Sequence, residues 1–562
     1  MKKLVECVPN ISEGRDAAKI KQVTDVVEKF DGVKLLDVDA GNATNRTVIT
    51  IVGEPQKVVD AAFALIKKAA EVIDMSQHSG EHPRFGATDV CPFIPIAGIT
   101  MEEAAELAVQ LGERVGNELG IPIYLYENAA KVEERKNLAV CRSGEYEGLA
   151  KISEERWKPD FGPAEFNNSV KKTGLTAIGA RDFLVAYNVN LNTTSTRRAN
   201  AIAFDIREAG RVKREGNPIT GKVVNDKDGN PLRIPGKLKA VKGIGWYIEE
   251  YGIAQISYNL TNINITSVHE AFDETCKSAI EKGIRVTGSE LVGLIPLKAM
   301  LDAADYFLKK QQRSLGISEK EKIRIAIKSL GLDDLAPFNP KTKIIEYMLE
   351  EENNDQLIAM SLNNFADETA SESPAPGGGS IAAYVGAMGI SLGTMVANLS
   401  AHKRGWDDKW EEFSKWAEKG QAQKAQLIKL VDEDTQAFNR IMDAFGLPKG
   451  SDEEKSARDE AIQTATIGAI EVPFKVMEFA LQSMEVLKAM AESGLQASIS
   501  DAGVGALCAR SAVIGAFLNV KINTSELKDE NYKNAILKRG KEIQSKAIKM
   551  EGEILEIVEG KL

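Results

Sequence analysis

Two of the chain's four histidines lie four residues apart, in the stretch SQHSGEHPRFGATDVCPF at 76–93. With Glu81, His78 and His82 form the pattern H-x-x-E-H, in which inverted zinc peptidases place two metal ligands and a glutamate. Histidine can also transfer protons, because its ordinary pKa lies close to neutral pH. The stretch therefore indicates either a metal site or an acid–base site.

The helix that a zinc site of this pattern requires is not predicted. A spacing of four brings two imidazoles onto one helix face, but Gly80 lies between the histidines and Pro83 follows the second. Glycine destabilises a helix interior by about 1 kcal/mol and proline by about 3 kcal/mol, and proline disfavours the α conformation in the residue before it. We expect a loop without metal. A catalytic loop histidine is one interpretation, and two solvated histidines are the alternative.

A glycine-rich stretch, SESPAPGGGSIAAYVGAMG, precedes a helix of small residues. Gly377, Gly378 and Gly379 would let a ligand approach the backbone, and Ser380 is the predicted N-cap. The N–H groups of a helix N-terminus favour an anion or a polar ring. Neither G-K-[ST] nor G-x-G-x-x-G is present, so no nucleotide loop is predicted, and a flexible turn is the alternative.

One carboxylate falls on an apolar stripe of the predicted helix AQLIKLVDEDTQAFNRIMDAF. Leu427, Val431, Asp434 and Phe438 recur at spacings of four, three and four, which places Asp434 on the apolar helix face. Desolvation favours the protonated carboxyl, and a carboxyl that keeps its proton near neutral pH can act as a general acid. A structural ion pair with a lysine or arginine is the alternative.

The elements that must hold these residues fall into three parts. Up to about residue 130, β-rich runs such as KLVECV and RTVITIV alternate with amphipathic helices, which predicts a sheet covered by helices. A second α/β part has strands at FLVAYNVNL and IAQISYNLTNINIT and helices at 195–209 and 267–282. Beyond about residue 335 strand signals vanish, and 380–562 is predicted to be helical.

Three local signals are more specific. Thr100 and Glu103 have the spacing of a capping box at a helix N-terminus. The prolines of DVCPFIPI predict an edge strand. The charged, turn-rich stretch 213–237 predicts a surface hairpin.

Composition excludes several function classes. The net charge of −11 argues against a general nucleic-acid-binding protein, although it allows a local basic pocket for a small anion. No apolar run of 18 residues predicts a transmembrane helix. The five cysteines are scattered and odd in number, as expected for reduced thiols in the cytoplasm. The N-terminus lacks the apolar core of a signal peptide.

Nine motifs follow one another along the chain, namely LVECVPNISEGR, LLDVDAGNATNRTV, IDMSQHSGEHPRFGATDVCPFIPI, PDFGP, GARDFLVAYNVNLN, KAVKGIGWY, LVGLIPLKAMLDAA, SPAPGGGSIAA and LVDEDTQAF. In these motifs the sequence resembles the formiminotransferase-cyclodeaminase family of histidine breakdown. The resemblance implies transfer of a formimino group from N-formiminoglutamate to N5 of tetrahydrofolate, with release of glutamate. It also implies cyclisation of the product to 5,10-methenyltetrahydrofolate, with release of ammonia.

The resemblance further implies an architecture and its partners. Two α/β-sandwich (ferredoxin-like) subdomains, 1–180 and 181–335, would carry the transferase, and a linker at 336–355 would lead to an all-helical cyclodeaminase bundle at 356–562. Tetrahydrofolate with a polyglutamate tail is the implied co-substrate, and no metal is implied. A homo-octamer in the cytoplasm is expected, without nucleic-acid or membrane partners.

Family roles carry over to particular positions. The catalytic histidine corresponds to His82 in GEHPR, which would move a proton from N5 to the departing glutamate nitrogen, and the acid of the second reaction corresponds to Asp434; His78 is secondary. The positions implied to bind or orient the substrate are Asn10, Asp39, Arg46 and Arg84. The positions implied to contact folate are Gly162, Pro163, Phe166 and Gly174 in the first site, and Pro376, Gly377, Gly378, Gly379 and Ser380 in the second.

Two stretches depart from the family pattern. The folate segment GPAEFNNSVKKTG at 162–174 is slightly longer and contains two lysines, and the hairpin at 213–237 looks like an insertion. Two alternatives stay open. One is a monofunctional transferase whose helical domain only binds folate and builds the oligomer. The other is a non-catalytic folate-binding scaffold, against which His82 and Asp434 argue.

Overall fold

The computed structural model describes residues 3–41, 45–80, 84–216, 221–349 and 356–562. The chain divides into two compact units, Met1–Met300 with Leu330–Glu350 and Leu301–Ser329 with Glu351–Leu562. We call them the α/β unit and the helical unit, because the strands lie in the first and long helices form the second. The predicted combination of an α/β region with a helical region is confirmed.

Residues 301–329 belong to the helical unit. The family resemblance instead predicts that the helical part begins only after a linker at 336–355. Packing explains this grouping. The Leu315 N–H donates to the Ser414 hydroxyl over 3.0 Å, and Gly316 lies so close to Ala417 that an added β-carbon would be 2.2 Å from the Ala417 Cβ. The domain limits drawn from the family stay predictions, since compact packing units and family limits need not coincide.

A seven-stranded sheet forms the N-terminal half of the α/β unit. Its strands are β1 Leu4–Cys7, β2 Asn10–Ile11, β3 Val33–Gly41, β4 Arg46–Gly53, β5 Thr88–Ala97, β6 Ile123–Glu127 and β7 Thr176–Ala180. They lie in the order β3, β4, β1 with β2, β5, β7, β6. The pairs are antiparallel except at β7, which pairs in parallel with both β5 and β6.

Three helices cover one face of this sheet, α1 Ala17–Thr24, α2 Pro55–Val72 and α3 Met101–Leu119. Pro55 suits the first helical position, where its missing N–H would have no partner in any case. The predicted capping box of Thr100 and Glu103 is confirmed, with both reciprocal hydrogen bonds formed. Two short helices, α4 Leu138–Cys141 and α5 Asn168–Thr173, follow β6.

Strand β5 is an interior strand, so the edge position predicted from its prolines is wrong. It pairs with β1 on one side and β7 on the other. Proline lacks a donor but keeps its acceptor, and the Pro92 carbonyl accepts the Val8 N–H over 3.1 Å. Proline is therefore compatible with a central strand wherever only its carbonyl is required.

The second half of the α/β unit repeats the strand order of the first. Its strands are β8 Val185–Leu191, β9 Arg211–Val212, β10 Arg233–Ile234, β11 Val241–Ile248, β12 Ile253–Leu260 and β13 Val286–Val292, and its helices are α6 Thr196–Ile206 and α7 Val268–Glu281. An antiparallel sheet runs β11, β12, β8, β13. Both halves thus follow a β-α-β-β-α-β path with equivalent strand positions. Ser195 and Ser267 cap α6 and α7, where the sequence predicts those helices to begin.

Strands β9 and β10 form the predicted surface hairpin. Their pairing continues outward through isolated bridges between Arg214 and Val223 and between Asn225 and Pro231. The Asp226 carboxylate closes the turn by accepting the N–H groups of Asp228 and Asn230. Residues 222–234 are mostly exposed, as expected for an insertion on the surface.

Beyond β13 the elements are helices: α8 Leu297–Lys310, α9 Glu319–Leu330, α10 Pro340–Lys343, α11 Ile345–Leu349, α12 Leu362–Thr369, α13 Gly378–Ala401, α14 Trp410–Gly446, α15 Asp452–Ser493, α16 Ile499–Asn523 and α17 Glu530–Glu559. α13 and α16 cross closely, since a β-carbon on Gly389 would lie 2.8 Å from the Gly505 carbonyl oxygen. Both are long and apolar enough to span a membrane. At least half of each apolar window is buried inside the protein, which is typical of core helices.

Candidate functional site

Asp434 lies where the apolar stripe of α14 leaves the core. Leu427 and Val431 are fully buried, Asp434 is half-buried, and Phe438 is 42% exposed. The stripe predicted from the spacing therefore runs from the core to the surface, and the carboxylate stands at the mouth of a cleft. Its neighbours face other groups: Asp432 accepts the Leu357 N–H over 2.8 Å, and Glu433 pairs with Lys429.

The carboxylate of Asp434 rests on the first turn of α13. The Ser380 hydroxyl lies 3.0 Å from both Asp434 Oδ2 and the Val431 carbonyl oxygen. Gly379 is the contact point, because a β-carbon there would be 2.2 Å from Asp434 Oδ1. Ser380 is not the N-cap that the sequence predicts. The N-cap is Gly377 and the helix starts at Gly378, so the serine side chain is free to reach across to α14.

Two effects act on the Asp434 carboxyl. Burial raises its pKa above the ordinary value, and hydrogen bonds from the Ser380 side chain and backbone N–H oppose that shift. The net direction is upward, so the carboxyl holds its proton closer to neutral pH than a solvated aspartate does. No lysine or arginine pairs with it among the described residues, which disfavours the structural ion pair considered from the sequence.

A cleft opens beside this carboxylate. It is lined by Pro374, Ala375, Gly377, Gly378, Asp434, Thr435, Phe438, Ile441, Ala469, Asn519 and Asn523. Gly377 and Gly378 were predicted, whereas Pro376 is buried and does not line the cleft. The sequence interpretation missed Thr435, Asn519 and Asn523. The spacing of four between the two asparagines on a small-residue helix was the available signal.

Asn519, Asn523 and Thr435 place hydrogen-bond acceptors and one hydroxyl donor in the wall of the cleft. The Asn519 and Asn523 amides donate to the Gly515 and Ala469 carbonyls. In the described part of the chain no donor reaches their Oδ1 atoms. The Thr435 hydroxyl is buried and has no hydrogen-bond partner there either. These groups suit a flat, polar ligand with N–H donors.

A second polar cluster lies in the α/β unit, at the end of β5. Arg46 is 8% exposed; its Nη2 donates to Asn10 Oδ1 over 2.9 Å, and its Nη1 pairs with the fully buried Asp89. Arg142 binds the same Asp89 oxygen, and the Phe85 N–H donates to the other oxygen over 3.0 Å. Two guanidiniums thus share one carboxylate, which leaves one positive charge over. Asn10 and Arg46 were predicted, but Asp89 and Arg142 were not.

His78 and Arg84 flank the part of the histidine loop that lies outside the described residues, namely 81–83, which includes His82. His78 Nε2 lies 2.9 Å from the Asn45 carbonyl oxygen and must donate to it, and Arg84 Nε lies 3.4 Å from Nδ1. Burial lowers the pKa of His78, which favours this neutral tautomer. Arg84 Nη2 also pairs with Glu147 over 2.8 Å. Both ring nitrogens of His78 are therefore engaged by neighbouring residues, which agrees with its role as secondary to His82.

The predicted folate segment ends beside this loop. The Leu175 N–H donates to the Phe85 carbonyl over 2.9 Å and the Ala87 N–H donates to the Thr173 carbonyl over 2.7 Å. Gly174 has a φ of +69° and packs against Phe85 and Gly86, where a side chain would not fit. Phe166 is 38% exposed and contacts Tyr146 edge-on. The segment starts elsewhere, with Gly162 packed against Ile121 and Pro163 half-buried.

Two carboxylates on the face of the first sheet opposite helices α1, α2 and α3 differ in burial. Asp39 pairs opposite Val48 and is exposed, and no hydrogen bond joins it to the Arg46 cluster. Glu6 is 4% exposed on β1, facing away from the helices, and accepts no hydrogen bond from a described residue. Burial raises the pKa of Glu6 to about 7, although the charge of Arg181 lowers it. The sequence interpretation missed Glu6, because its burial depends on distant parts of the chain.

Within the described ranges, no three histidine, cysteine, aspartate or glutamate side chains cluster as a metal site would require. All five cysteines are free thiols. Glu81 and His82 of the H-x-x-E-H pattern are not among the described residues.

Three family models match the chain. The model of the formiminotransferase domain, N-terminal subdomain, matches residues 4–181, and that of the formiminotransferase domain matches 186–350. The model named formiminotransferase-cyclodeaminase matches 361–542. Together they cover both units described above.

Relatives of similar length agree with these models. The formimidoyltransferase-cyclodeaminase of Mus musculus is 42% identical over 95% of this chain and 94% of its own. The protein of the same name from Dictyostelium discoideum is 42% identical over 99% of both chains. A glutamate formimidoyltransferase from Thermoplasma acidophilum is 46% identical over 54% of this chain and 92% of its own.

Proposed function

The chain belongs to the formiminotransferase-cyclodeaminase family and is a bifunctional folate enzyme, and we propose that His82 and Asp434 carry its two reactions. The enzyme transfers a formimino group from N-formiminoglutamate to tetrahydrofolate and releases glutamate. It then cyclises 5-formiminotetrahydrofolate to 5,10-methenyltetrahydrofolate and releases ammonia. The observation that carries the assignment of the second site is the half-buried Asp434 carboxyl at the mouth of the cleft.

In the transfer step, N5 of tetrahydrofolate attacks the amidine carbon of formiminoglutamate. A bond forms between that carbon and N5, and the bond from the carbon to the glutamate nitrogen then breaks. N5 must lose one proton and the departing nitrogen must gain one, so a single histidine can serve as base and then as acid. His82 takes this role in our proposal. The neighbouring His78 is held neutral by Asn45 and Arg84, so it does not compete for the proton.

The two carboxylates of formiminoglutamate need cationic partners. The cluster of Arg46, Arg142 and Asp89 keeps one uncompensated positive charge, and we assign it to one of these carboxylates. Asn10 fixes the Arg46 guanidinium, and Arg84, which is already paired with Glu145 and Glu147, orients the histidine loop. Asp39, which is exposed on β3, has an orienting role at most. Phe166 and Gly174 form the folate wall, which ends at the histidine loop. Gly162, followed by Pro163, fixes the start of the segment against Ile121.

In the cyclisation step, N10 attacks the formimino carbon and ammonia leaves. A bond forms from carbon to N10, the N10 proton passes to the former imino nitrogen, and the carbon–nitrogen bond to that nitrogen then breaks. The leaving nitrogen must be protonated to depart as ammonia, and Asp434 supplies that proton because burial keeps it protonated toward neutral pH. The Asn519 and Asn523 oxygens accept hydrogen bonds from the folate, while Gly377, Gly378 and Phe438 form the walls.

The wider setting follows from the family and from the surface. We propose that the enzyme acts in histidine degradation, in the cytoplasm, on polyglutamylated tetrahydrofolate and without a metal. Each half of the α/β unit corresponds to a ferredoxin-like α/β sandwich, since its strands follow the β-α-β-β-α-β path. We also propose a homo-octamer. Met388, Met395 and Leu399 on α13 expose an apolar stripe that a second copy of the chain would cover.

Two substitutions test the assignment of roles. His82→Ala should stop glutamate release from formiminoglutamate yet still cyclise supplied 5-formiminotetrahydrofolate. Asp434→Asn should release glutamate normally and accumulate the 5-formimino intermediate. Undiminished ammonia release by Asp434→Asn would refute the acid assignment. If the unsubstituted enzyme does not cyclise 5-formiminotetrahydrofolate, the protein is a monofunctional transferase.

A further inference from the structure

A cavity on the helix side of the second sheet is lined by five arginines. They are Arg197 and Arg207 on and just after α6, and Arg211, Arg214 and Arg233 in the β9–β10 hairpin; Phe204 forms an apolar wall. The cavity has a volume of about 330 Å³. We propose that it binds a small anion with two or more adjacent phosphate groups, at a site distinct from both catalytic sites.

Few carboxylates neutralise these arginines. Arg211 pairs with Asp205, which Lys282 also binds. In the described part of the chain, the other four arginines have no carboxylate partner. Arg207 and Arg233 donate to backbone carbonyls of Gly210, Gly243 and Ala209, and these contacts neutralise no charge. The cavity therefore concentrates positive charge on a protein whose net charge is −11.

This concentration is unfavourable without a ligand. Arg207 and Arg211 are half-buried, and burial lowers the pKa of both; the neighbouring Arg233 lowers that of Arg207 further. A lowered pKa means that the protein environment destabilises the charged form of these two guanidiniums. An anion in the cavity would remove that destabilisation, which is the usual reason for arginines to converge on one concave surface.

The hairpin that the sequence marks as an insertion builds one wall of the site. It is held against the end of α6 at Gly210, which has a φ of +58° and lies so close to the Ile234 carbonyl that no side chain would fit. The Arg207 guanidinium is already fixed by two backbone carbonyls and lies 3.9 Å from the centre of the Phe204 ring. The site is thus partly preorganised, which reduces the entropy lost on binding.

The density of charge favours condensed phosphates over carboxylates. A guanidinium fork binds either group through two hydrogen bonds. Adjacent phosphates in pyrophosphate or a nucleotide place several negative charges side by side, whereas a γ-linked glutamate chain separates successive carboxylates by a whole residue. Five arginines around one small cavity match the first pattern. Phe204 is half-buried and lines the cavity beside Arg207, so it offers an apolar contact for a nucleobase.

Titration calorimetry of the full-length enzyme with pyrophosphate and with ATP tests the proposal. Saturable binding of pyrophosphate is expected, and tighter binding of ATP than of tripolyphosphate, which has the same three phosphates but no base, would show that the base contributes. The double substitution Arg197→Gln with Arg233→Gln should weaken binding by about tenfold or more, because it removes two charge-assisted contacts. The matched control is Arg198→Gln, on the same helix but outside the cavity, and it should bind as the unsubstituted enzyme does.

Three results would overturn the proposal. If sulfate, at equal ionic strength, displaces bound pyrophosphate as effectively as added pyrophosphate does, the cavity attracts anions without specificity. Oligo-γ-glutamate that binds while pyrophosphate does not would show a carboxylate site. Equal affinities of the double variant and the Arg198→Gln control would show that binding, if any, lies elsewhere. Unchanged circular dichroism of both variants ensures that a loss reflects the cavity and not unfolding.

Discussion

The glycine beside Asp434 makes the second site sensitive to a single methyl group. In Gly379→Ala the new β-carbon would lie 2.2 Å from Asp434 Oδ1, whereas ordinary contact begins at 3.4 Å. The carboxylate must therefore move by the difference, 1.2 Å. Misplacement of a reacting group by about 1 Å can cost 10²-fold in rate, so we expect cyclodeaminase activity to fall by about two orders of magnitude.

The protein itself should tolerate this change. The atom in conflict is the end of a side chain, and alanine favours the helix over glycine by about 1 kcal/mol. The assay is ammonia release from supplied 5-formiminotetrahydrofolate, with glutamate release from formiminoglutamate as the measure of the other site, which should be unaffected.

Gly552→Ala is the matched control, because Gly552 lies on α17 outside the cleft and its new β-carbon would have no described heavy atom within 4 Å. It should keep most of its cyclodeaminase activity. If the cyclodeaminase rate of Gly379→Ala lies within twofold of that of the unsubstituted enzyme, the reaction does not require the Asp434 carboxylate in its position against α13. The assigned role of Asp434 is then refuted.

Three further changes test other contacts. Ser380→Ala removes a hydrogen bond that lowers the pKa of Asp434, so the loss of cyclodeaminase activity at high pH should move to higher pH; an unchanged profile would contradict the acid role. The rise of the Glu6 pKa from 4.5 to about 7 means that the folded state binds the proton more tightly than the unfolded one. Glu6 should therefore destabilise the fold by about 3 kcal/mol as pH rises from 4.5 through 7, and Glu6→Gln should remove this dependence in denaturant titrations; a pH-independent difference would refute it. Met395→Glu with Leu399→Glu should yield smaller assemblies in analytical ultracentrifugation, and an unchanged mass would place the subunit contact elsewhere.

Local signals in the sequence predicted most of the elements. The capping box of Thr100 and Glu103 and the serines before α6 and α7 act within one helical turn, so the sequence alone contains their partners. The spacing around Asp434 likewise predicted its helix face. The strand order was not predicted, because pairing between β1, β4 and β5 depends on residues far apart in the chain.

Site residues could be predicted from the sequence where their residue type and local spacing identify them. Arg46 and Asn10 were identified, but their link through Asp89 to Arg142 joins positions 46, 89 and 142, and no local pattern shows it. The sequence predicts Ser380 as an N-cap because serine favours that position, whereas its contact with Asp434, 54 residues away, has no local signal. Glu6 was missed for the same reason, since its burial depends on distant parts of the chain. The role of His82 stays a prediction, since the loop at 81–83 is not among the described residues.

One chain carries out both reactions in sequence, and a single assay tests this directly. Purified enzyme, given formiminoglutamate and tetrahydrofolate, should be followed simultaneously for glutamate, ammonia and the near-ultraviolet absorbance of methenyltetrahydrofolate. We predict that all three form in equal amounts. Glutamate formed without ammonia or methenyltetrahydrofolate would show that the chain carries out only the transfer.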